Sequence, residues 1–310
     1  MMKTAWTFPG QGSQYDRFLH HLPHHEKVSA TIDEASKILG EDILSLSEEC
    51  HLASTRNVQL TMLTAGVAVA RALLYEGVKP DYVAGHSVGA FGAAVVSNVM
   101  TFEQALLTVK LRGELMESLQ DERYGMAVVI GLREEQLLAV VETIHSEEQP
   151  VYVSNRNAPK QLTLSGHKEA MEHVLDYVRQ RGATTAKLLN VSTPSHSSLF
   201  LPVQRALEER LNSYTLNRPN FPFIANRHAR VLRNVEAIKQ DLAESIALPV
   251  RWHDATTVLY ENGVRLFVEM PPGDVLKKLA SSAFPDAASY SMEKNGFSDC
   301  LYVLQHKGVY

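Results

Sequence analysis

Apolar residues along the chain occur in short β-rich runs and in longer runs at helical spacing. The short runs TAWTF (4–8) and DYVAG (81–85) predict buried strands, because each is rich in strand-forming residues and leads into a glycine-containing turn. The runs at helical spacing predict helices in SATIDEASKILG, TMLTAGVAVARALLYEG, AFGAAVVSNV and ALLTVKLRGELMESL. Thr101 and Gln104 have the Thr-x-x-Gln form of a capping box at the start of the last helix. Alternating strands and helices predict a parallel sheet covered on both faces.

From residue 126 the pattern changes. Strands are predicted in MAVVIGL, VYVSN, QLTLSG and TTAKLLNVS, with a turn at RNAPK between the second and third, and helices in REEQLLAVVETIHS and KEAMEHVLDYVRQRG. The order β-α-β-β-α-β is that of a ferredoxin-like unit. The outer part continues with a helix near 200–213, the strands FPFIAN and RLFVEM, and PPGDVLKKLA, which ends in a helix. We therefore predict an α/β fold with an α/β-hydrolase-like, parallel-sheet large subdomain (1–125 and 192–310) and an inserted ferredoxin-like small subdomain (126–191).

Composition supports a folded chain with a sizeable core. The 310 residues are 45% hydrophobic and 21% charged, as in ordinary globular proteins. The net charge is −5, and lysine and arginine form no blocks, which argues against a nucleic-acid partner. The two cysteines, Cys50 and Cys300, cannot form a disulfide framework, which favours a reducing compartment. The apolar stretch LTAGVAVARALLY is interrupted by Arg71 and too short to span a bilayer, so we expect a cytoplasmic protein with no membrane partner.

The stretch DYVAGHSVGAFGAAVV, residues 81–96, carries the candidate chemistry. It places Ser87 between Gly85 and Gly89, at the junction of a predicted strand and a predicted helix. This is the setting of a nucleophile elbow, in which small neighbours permit a strained turn that exposes the hydroxyl. The alternative is a glycine-rich turn with an incidental serine, because GxSxG alone is a weak pattern. The strand–turn–helix context favours Ser87 as a nucleophile.

A serine nucleophile needs a base, and two histidines are candidates. His86 is adjacent to Ser87, but neighbouring side chains on a sharp turn point apart, so we assign it an orienting or packing role in the pocket. His196, in the polar loop STPSHSS directly after the inserted unit, is the better candidate. Taken alone, a loop histidine is more often a surface residue.

Arg112 falls on one helical stripe with Ala105, Val109 and Met116, so it should be partly buried. A buried guanidinium needs a partner, which is either a carboxylate of the protein or the carboxylate of a substrate. Gln11, in the loop PGQGSQ after the first strand, offers an amide or a backbone N–H to an oxyanion. For that loop a plain strand-to-loop turn is the commoner explanation.

The run HHLPHH, residues 20–25, contains two histidine pairs at helical spacing. Pro23 lies between the pairs, and no cysteine or carboxylate completes a ligand set, so we predict no metal site. The sequence has neither a P-loop nor a dinucleotide-binding glycine fingerprint, so we predict no bound cofactor.

Seven motifs occur in a fixed order along the chain: FPGQGSQ, GHSVGA, LRGELM, GHKEAME, PSHSSL, LPVRW and EMPPGDVLKKL. Together they resemble the malonyl-CoA:acyl-carrier-protein transacylases over essentially the whole chain, the inserted unit included. The resemblance implies a ping-pong acyltransferase with malonyl-CoA as its substrate. Its partner would be an acyl carrier protein or carrier subunit, whose phosphopantetheine-type thiol accepts the malonyl group.

The resemblance also implies roles for single residues. Ser87 would form a malonyl-serine, His196 would act as general base and then as acid, and Arg112 would hold the malonyl carboxylate. The other implied roles are an oxyanion hole from the backbone N–H groups of Gln11 and Val88, a backbone carbonyl at Arg251 that orients the histidine, and pocket positions at Gln59 and His86.

The sequence departs from the fatty-acid-synthesis branch at three positions. Ala90 and Phe91 stand where that branch typically has glutamate and tyrosine, and Arg251 stands where glutamine is common. GHSVGAF and PVRWHDAT look more like the epsilon subunit of malonate decarboxylase, which is similar in fold and charges the carrier subunit of the decarboxylase. We favour that branch over a fatty-acid or polyketide malonyltransferase.

Two other function classes stay open. A serine hydrolase would use the same elbow and histidine, with Asp254 or Asp274 as a triad acid. A non-catalytic subunit that only docks a carrier protein would form no acyl-enzyme at Ser87.

Overall fold

A computed structural model describes residues 2–191 and 193–307 of the chain. Its strands are β1 (Lys3–Phe8), β2 (Tyr82–Gly85), β3 (Tyr124–Ile130), β4 (Val151–Ala158), β5 (Gln161–His167), β6 (Thr185–Leu188), β7 (Phe223–Ile224), β8 (Val231–Leu232), β9 (Val264–Glu269) and β10 (Ala288–Ser291). Its α-helices are α1 (Glu26–Leu39), α2 (Thr55–Tyr75), α3 (Gly89–Val96), α4 (Phe102–Ser118), α5 (Glu134–Ile144), α6 (Lys168–Arg179), α7 (Leu201–Asn212), α8 (Val235–Glu244), α9 (Trp252–Glu261), α10 (Val275–Ala283), α11 (Met292–Asn295) and α12 (Phe297–Gln305).

The larger sheet has six strands in the order β10-β9-β1-β2-β7-β8. The first five run parallel, and β8 pairs antiparallel with β7 at one edge. Phe8 and Gly85 are register partners at the carboxyl ends of β1 and β2. The loop after β1 and the turn after β2 therefore leave the sheet side by side, where open parallel sheets place their ligand sites.

Helix α2 runs through the main core. By length and composition it could cross a membrane, but 83% of its most apolar window is buried inside the protein, so it is the core helix of this chain. It packs against α1, α3 and α4. The Thr101–Gln104 capping box predicted at the start of α4 is present, with both hydrogen bonds formed. It fixes where α4 begins and so which of its residues face the site.

The second sheet has four antiparallel strands in the order β4-β5-β3-β6, and α5 and α6 pack against it around a separate core. Its elements follow one another as β-α-β-β-α-β along the chain. A short bridge joins it to the rest of the protein: Arg156 N–H donates to Val250 O (2.8 Å), and Val250 N–H donates to Ser154 O (2.9 Å).

Several predicted boundaries differ from the structure, at α1 and β7 among others. Helix α2 begins at Thr55, ahead of the apolar run, because the Ser54 side chain accepts a hydrogen bond from Asn57 N–H. Strand β4 continues to Ala158 through the residues predicted as a turn, because two register shifts keep it paired with β5. β6 ends at Leu188, and Ser192, placed by the sequence at the end of that strand and at the subdomain boundary, lies outside the described residues.

Candidate active site

Ser87 occupies a strained turn between β2 and α3. Its φ is 53°, in the left-handed region that non-glycine residues rarely adopt. A Cβ on Gly85 would lie 2.1 Å from the backbone of Gly89, and one on Gly89 would lie 2.2 Å from Phe8 O. Only glycine fits these two positions, so the predicted elbow forms because both flanking residues lack a side chain.

Ser87 and His196 form a hydrogen-bonded dyad. Ser87 Oγ lies 2.8 Å from His196 Nε2, and His196 Nδ1 lies 2.6 Å from Ser245 O. A carbonyl oxygen can only accept, so Nδ1 carries the ring proton and donates it to Ser245 O. Nε2 is then unprotonated and accepts from the Ser87 hydroxyl, which is the tautomer that a general base requires.

The environment keeps His196 neutral. Burial, and then the nearby Arg112 cation, lower the pKa of His196 to about 3, although the hydrogen bond to Ser245 O opposes this shift. A histidine buried beside a positive charge loses its proton readily, because the charged form is both desolvated and repelled. The imidazole therefore stays unprotonated throughout the neutral range.

The carbonyl that orients His196 belongs to Ser245 and not, as the resemblance implied, to Arg251. The Arg251 carbonyl accepts from Ala255 N–H (2.9 Å) at the start of α9, so it is engaged within that helix. The chain reaches His196 earlier, at the end of α8: Ser245 O accepts from the ring, and Ile246 O accepts from His196 N–H (2.7 Å).

Neither triad acid considered for a hydrolase contacts the histidine. Asp254 Oδ2 accepts from Arg251 Nε at 2.6 Å, and Asp274 Oδ1 lies 2.8 Å from Lys278 Nζ. Across residues 2–191 and 193–307, no carboxylate hydrogen-bonds to His196. The site is a Ser–His dyad completed by a backbone carbonyl.

Arg112 is a buried cation beside Ser87. It is 2% exposed, and it donates from Nη2 to Ser87 Oγ (3.1 Å) and from Nη1 to Gln59 Oε1 (2.5 Å) and Met116 Sδ (3.3 Å). Within the described part of the chain it has no carboxylate partner. Burial lowers its pKa to about 9, which leaves it charged at neutral pH. The site therefore holds a positive charge that no protein anion balances.

The dyad opens into a cavity of about 800 Å³ between the two sheets, within the size range of small-molecule sites. Gln11, Gln59, His86 and Val88, all predicted site residues, line it together with polar side chains of β4 and β5. The backbone N–H groups of Gln11 and Val88 have no acceptor among the described residues. They are free to donate to a ligand oxygen near Ser87.

Comparison with known proteins identifies the family. The acyl transferase domain family matches residues 5–296. The chain is 35% identical over 286 residues to the malonyl CoA-acyl carrier protein transacylase of Bacillus subtilis, which covers 90% of each protein. The chain belongs to the acyl transferase family.

Solved structures of acyltransferases have the same fold. The acyl-carrier-protein S-malonyltransferase from Burkholderia pseudomallei 1710b matches with a TM-score of 0.92 at 34% identity, over 97% of this chain and 100% of that one. A malonyl-transacylase solved in complex with a type II PKS acyl-carrier protein matches with a TM-score of 0.88 at 32% identity, over 97% and 99%. The chain is thus an acyltransferase with a mixed α/β fold built on a parallel sheet.

His86 connects the elbow of this acyltransferase to the second sheet. Its Nε2 lies 3.0 Å from Asn157 Oδ1 on β4, and its ring packs edge-on against Trp252. Burial lowers its pKa. The side chain contacts Asn157 rather than the Ser87 hydroxyl, in keeping with an orienting role.

Two histidines of the run HHLPHH make local structural contacts. His25 Nδ1 accepts from Lys27 N–H and caps the start of α1, and its Nε2 lies 3.2 Å from Glu76 Oε1. The His21 ring stacks on Tyr15 at 5.9 Å. These contacts hold the segment before α1 against the core.

Sequence reasoning missed Asn226 and Ser245. Asn226 Oδ1 accepts from Ser87 N–H (2.9 Å), and Ser245 supplies the carbonyl for His196. Asn226 is the last residue of the predicted strand FPFIAN and lies just after β7, at the carboxyl end of a parallel strand, and that position could have marked it. Ser245 acts through its backbone, so its residue type gave no signal.

Proposed function

We propose that this acyltransferase moves a malonyl group from malonyl-CoA to the thiol of a phosphopantetheine-type arm on a carrier protein, through a malonyl-serine at Ser87. The observation that carries the proposal is Arg112, an unbalanced buried cation with its Nη2 3.1 Å from the nucleophile. A buried guanidinium without a carboxylate partner favours a substrate that carries a carboxylate, because the substrate then supplies the missing anion. The malonyltransferase names of the relatives agree with this choice.

In the first half-reaction, Ser87 Oγ attacks the thioester carbonyl carbon while its proton passes to His196 Nε2. The carbonyl oxygen becomes an oxyanion, which accepts hydrogen bonds from the backbone N–H groups of Gln11 and Val88. The carbon–sulfur bond then breaks, and His196 returns the proton to the CoA sulfur. Arg112 holds the malonyl carboxylate throughout, so the acyl group stays beside the dyad.

The second half-reaction reverses these roles. The carrier thiol gives its proton to His196 Nε2, and its sulfur attacks the malonyl-serine carbonyl carbon. The Ser87 oxygen leaves and takes the proton back from His196. The products are the malonyl thioester of the carrier and the free enzyme.

We propose the two-subdomain organisation 1–125 with 192–310, and 126–191, with the second a ferredoxin-like unit that forms one wall of the pocket. The antiparallel sheet with its own apolar core supports it. Asn155, Asn157 and Gln161 of this unit line the pocket, which supports a role for the unit in meeting an incoming arm.

Within the family, we propose malonate decarboxylase as the setting, with the carrier subunit of that enzyme as the acceptor. The supporting residues are Ala90 and Phe91, both buried behind the elbow. The names of the relatives support the alternative, an acyl carrier protein. Offering both carriers to the malonyl-enzyme and comparing transfer rates decides between them.

Intact-protein mass spectrometry after brief incubation with malonyl-CoA tests the chemistry. We expect one malonyl adduct on the wild type and none on Ser87→Ala, because no other described hydroxyl meets the dyad histidine. Ser97→Ala is the matched control, since it removes a buried hydroxyl at the far end of α3. It should keep the adduct.

The other outcomes separate the rival functions. CoA release without an adduct would mean that water takes the acyl group, as in a hydrolase. Neither CoA release nor an adduct would favour a subunit that only docks a carrier. An adduct that persists on Ser87→Ala would mean that another residue is the nucleophile.

A further inference from the structure

The Asn226 side chain joins the two sides of the nucleophile turn. It is buried just after β7; its Nδ2 donates to Gly85 O (2.8 Å) and its Oδ1 accepts from Ser87 N–H (2.9 Å). The two partners fix the orientation of the amide, because only the nitrogen can donate to a carbonyl. One side chain thus bridges the residues on either side of His86, across a turn whose φ at Ser87 is disfavoured.

The backbone of Asn226 is itself held from two directions. Asp241, which is 1% exposed, accepts from Asn226 N–H at Oδ2 (2.9 Å) and from Arg227 N–H at Oδ1 (3.2 Å). On the other side, Asn226 O accepts from Arg251 N–H (2.8 Å). A carboxylate with both oxygens engaged by backbone donors fixes the peptide it binds. Asn226 therefore reaches the elbow from a rigid base.

Helix α8 connects this base to the other half of the dyad. Asp241 lies in its last turn, and Ser245, one turn further on, follows the helix end. Residues spaced in this way lie on the same face of a helix. Asp241 holds the serine side through Asn226, while Ser245 O holds the His196 ring.

We propose that Asn226 is a positioning residue, anchored by Asp241, that holds Ser87 Oγ and the Val88 N–H in their reactive places, and that α8 thereby sets the distance between Ser87 and His196. The buried acid of this site then serves the nucleophile rather than the base. The inference uses the proposed function only in taking Ser87 as the nucleophile.

The test compares Asn226→Ala with Ser97→Ala, a matched control. Ser97 Oγ also donates one hydrogen bond to backbone and accepts one from backbone: it donates to Phe221 O (2.6 Å) and accepts from Phe221 N–H (3.1 Å). Two rates are measured for each variant: single-turnover acylation by malonyl-CoA, and labelling of Ser87 by a fluorophosphonate, which needs the dyad but no carboxylate site.

We expect Asn226→Ala to slow both reactions about 100-fold, the effect of a small displacement of reacting groups. KM for malonyl-CoA should change less than about threefold, because Arg112 is untouched. Asp241→Asn should slow both reactions less than Asn226→Ala does. The new amide keeps one acceptor oxygen, but its NH₂ group faces one of the two backbone N–H donors and cannot accept from it. Ser97→Ala should react at the wild-type rates, although it should lose about as much thermal stability as Asn226→Ala.

Labelling of Asn226→Ala at the rate of Ser97→Ala would overturn the proposal, as would a rise in KM with an unchanged rate. If Asn226→Ala does not fold, Asn226→Asp replaces it. Asn226→Asp keeps the acceptor for Ser87 N–H but sets an oxygen against Gly85 O, and it should label about tenfold more slowly, as for one lost hydrogen bond. Wild type that reacts with the fluorophosphonate but not with malonyl-CoA would refute the proposed function and leave the labelling rates to decide the positioning role.

Discussion

The His196 ring is held by a neutral carbonyl, and this choice governs when it can act as a base. A carboxylate in that position would stabilise the protonated, charged ring. The Ser245 carbonyl stabilises the charged ring less than burial and the Arg112 charge destabilise it, so the pKa of His196 is lowered. The pKa of about 3 keeps the ring unprotonated, with Nε2 free for the Ser87 proton.

The acylation rate should therefore persist at acid pH. Because the folded-state pKa of His196 lies well below its ordinary 6.5, we expect the acid limb of kcat/KM for malonyl-CoA far below pH 6.5. The same shift destabilises the fold as pH drops from 6.5 towards 3, because the unfolded chain binds a proton that the folded chain does not. Stopped-flow acylation across pH, on protein shown to be folded by circular dichroism, measures the limb; one between pH 6 and 7 would contradict the assignment.

Arg112 should decide which acyl group enters. Arg112→Ala removes the charge that we propose binds the malonyl carboxylate, so the preference for malonyl-CoA over acetyl-CoA should fall about 100-fold, as for charged hydrogen bonds worth about 3 kcal/mol. Acylation by acetyl-CoA should not decrease. Competition between the two thioesters, read by mass spectrometry, measures the preference. Arg71→Ala is the control, because its guanidinium pairs with Glu34 away from the pocket; an unchanged preference in Arg112→Ala would reject the carboxylate role.

At the scale of elements, the elbow depends on how closely α3 approaches β1. Gly89 at the start of α3 lies against the Phe8 carbonyl, and Gly92 faces the Phe8 ring. Five of the eight residues of α3 are glycine or alanine, so the helix can approach the end of the sheet closely. This close contact leaves no room for a wider turn between β2 and α3, so Ser87 adopts the strained left-handed conformation.

Gly89→Ala should destabilise the protein by about 3 kcal/mol or more, because its Cβ would lie 2.2 Å from a backbone oxygen that cannot move aside. Urea unfolding measures the change. Gly66→Ala in α2 is the control: its Cβ would lie 3.0 Å from the Phe8 ring, and alanine favours the helix, so the change should stay within about 1 kcal/mol. If the two variants unfold at the same urea concentration, α3 can shift away from β1 to make room for the new side chain.

The elements that could be predicted from the sequence are those whose signals are local. The capping box at Thr101, the elbow at Ser87 and the apolar periods of the main helices each lie within one segment. The extension of β4 to Ala158 arises from pairing with β5, and the Ser245 carbonyl lies in a loop without a periodic pattern. Both depend on distant parts of the chain, so no local pattern encodes them.

At the scale of the whole molecule, the site is assembled from both sheets. Ser87 lies in the turn after β2, Arg112 lies on α4, and His196 lies in the segment that follows the second sheet. Strands β4 and β5 form one wall of the cavity. The bridge between Arg156, Ser154 and Val250 ties the two parts together close to this wall. The cavity is therefore a property of how the two sheets meet.

The unbalanced charge of Arg112 has a consequence for the order of events. In the empty pocket, the buried Arg112 cation has no counterion. A bound carboxylate supplies one, so binding of a carboxylate ligand should stabilise the folded protein. In the proposed reaction, the malonyl-serine carries that carboxylate between the two half-reactions. Under that proposal, the malonyl-enzyme would be more stable than the empty enzyme, and the carrier protein would meet an enzyme that already holds the malonyl group.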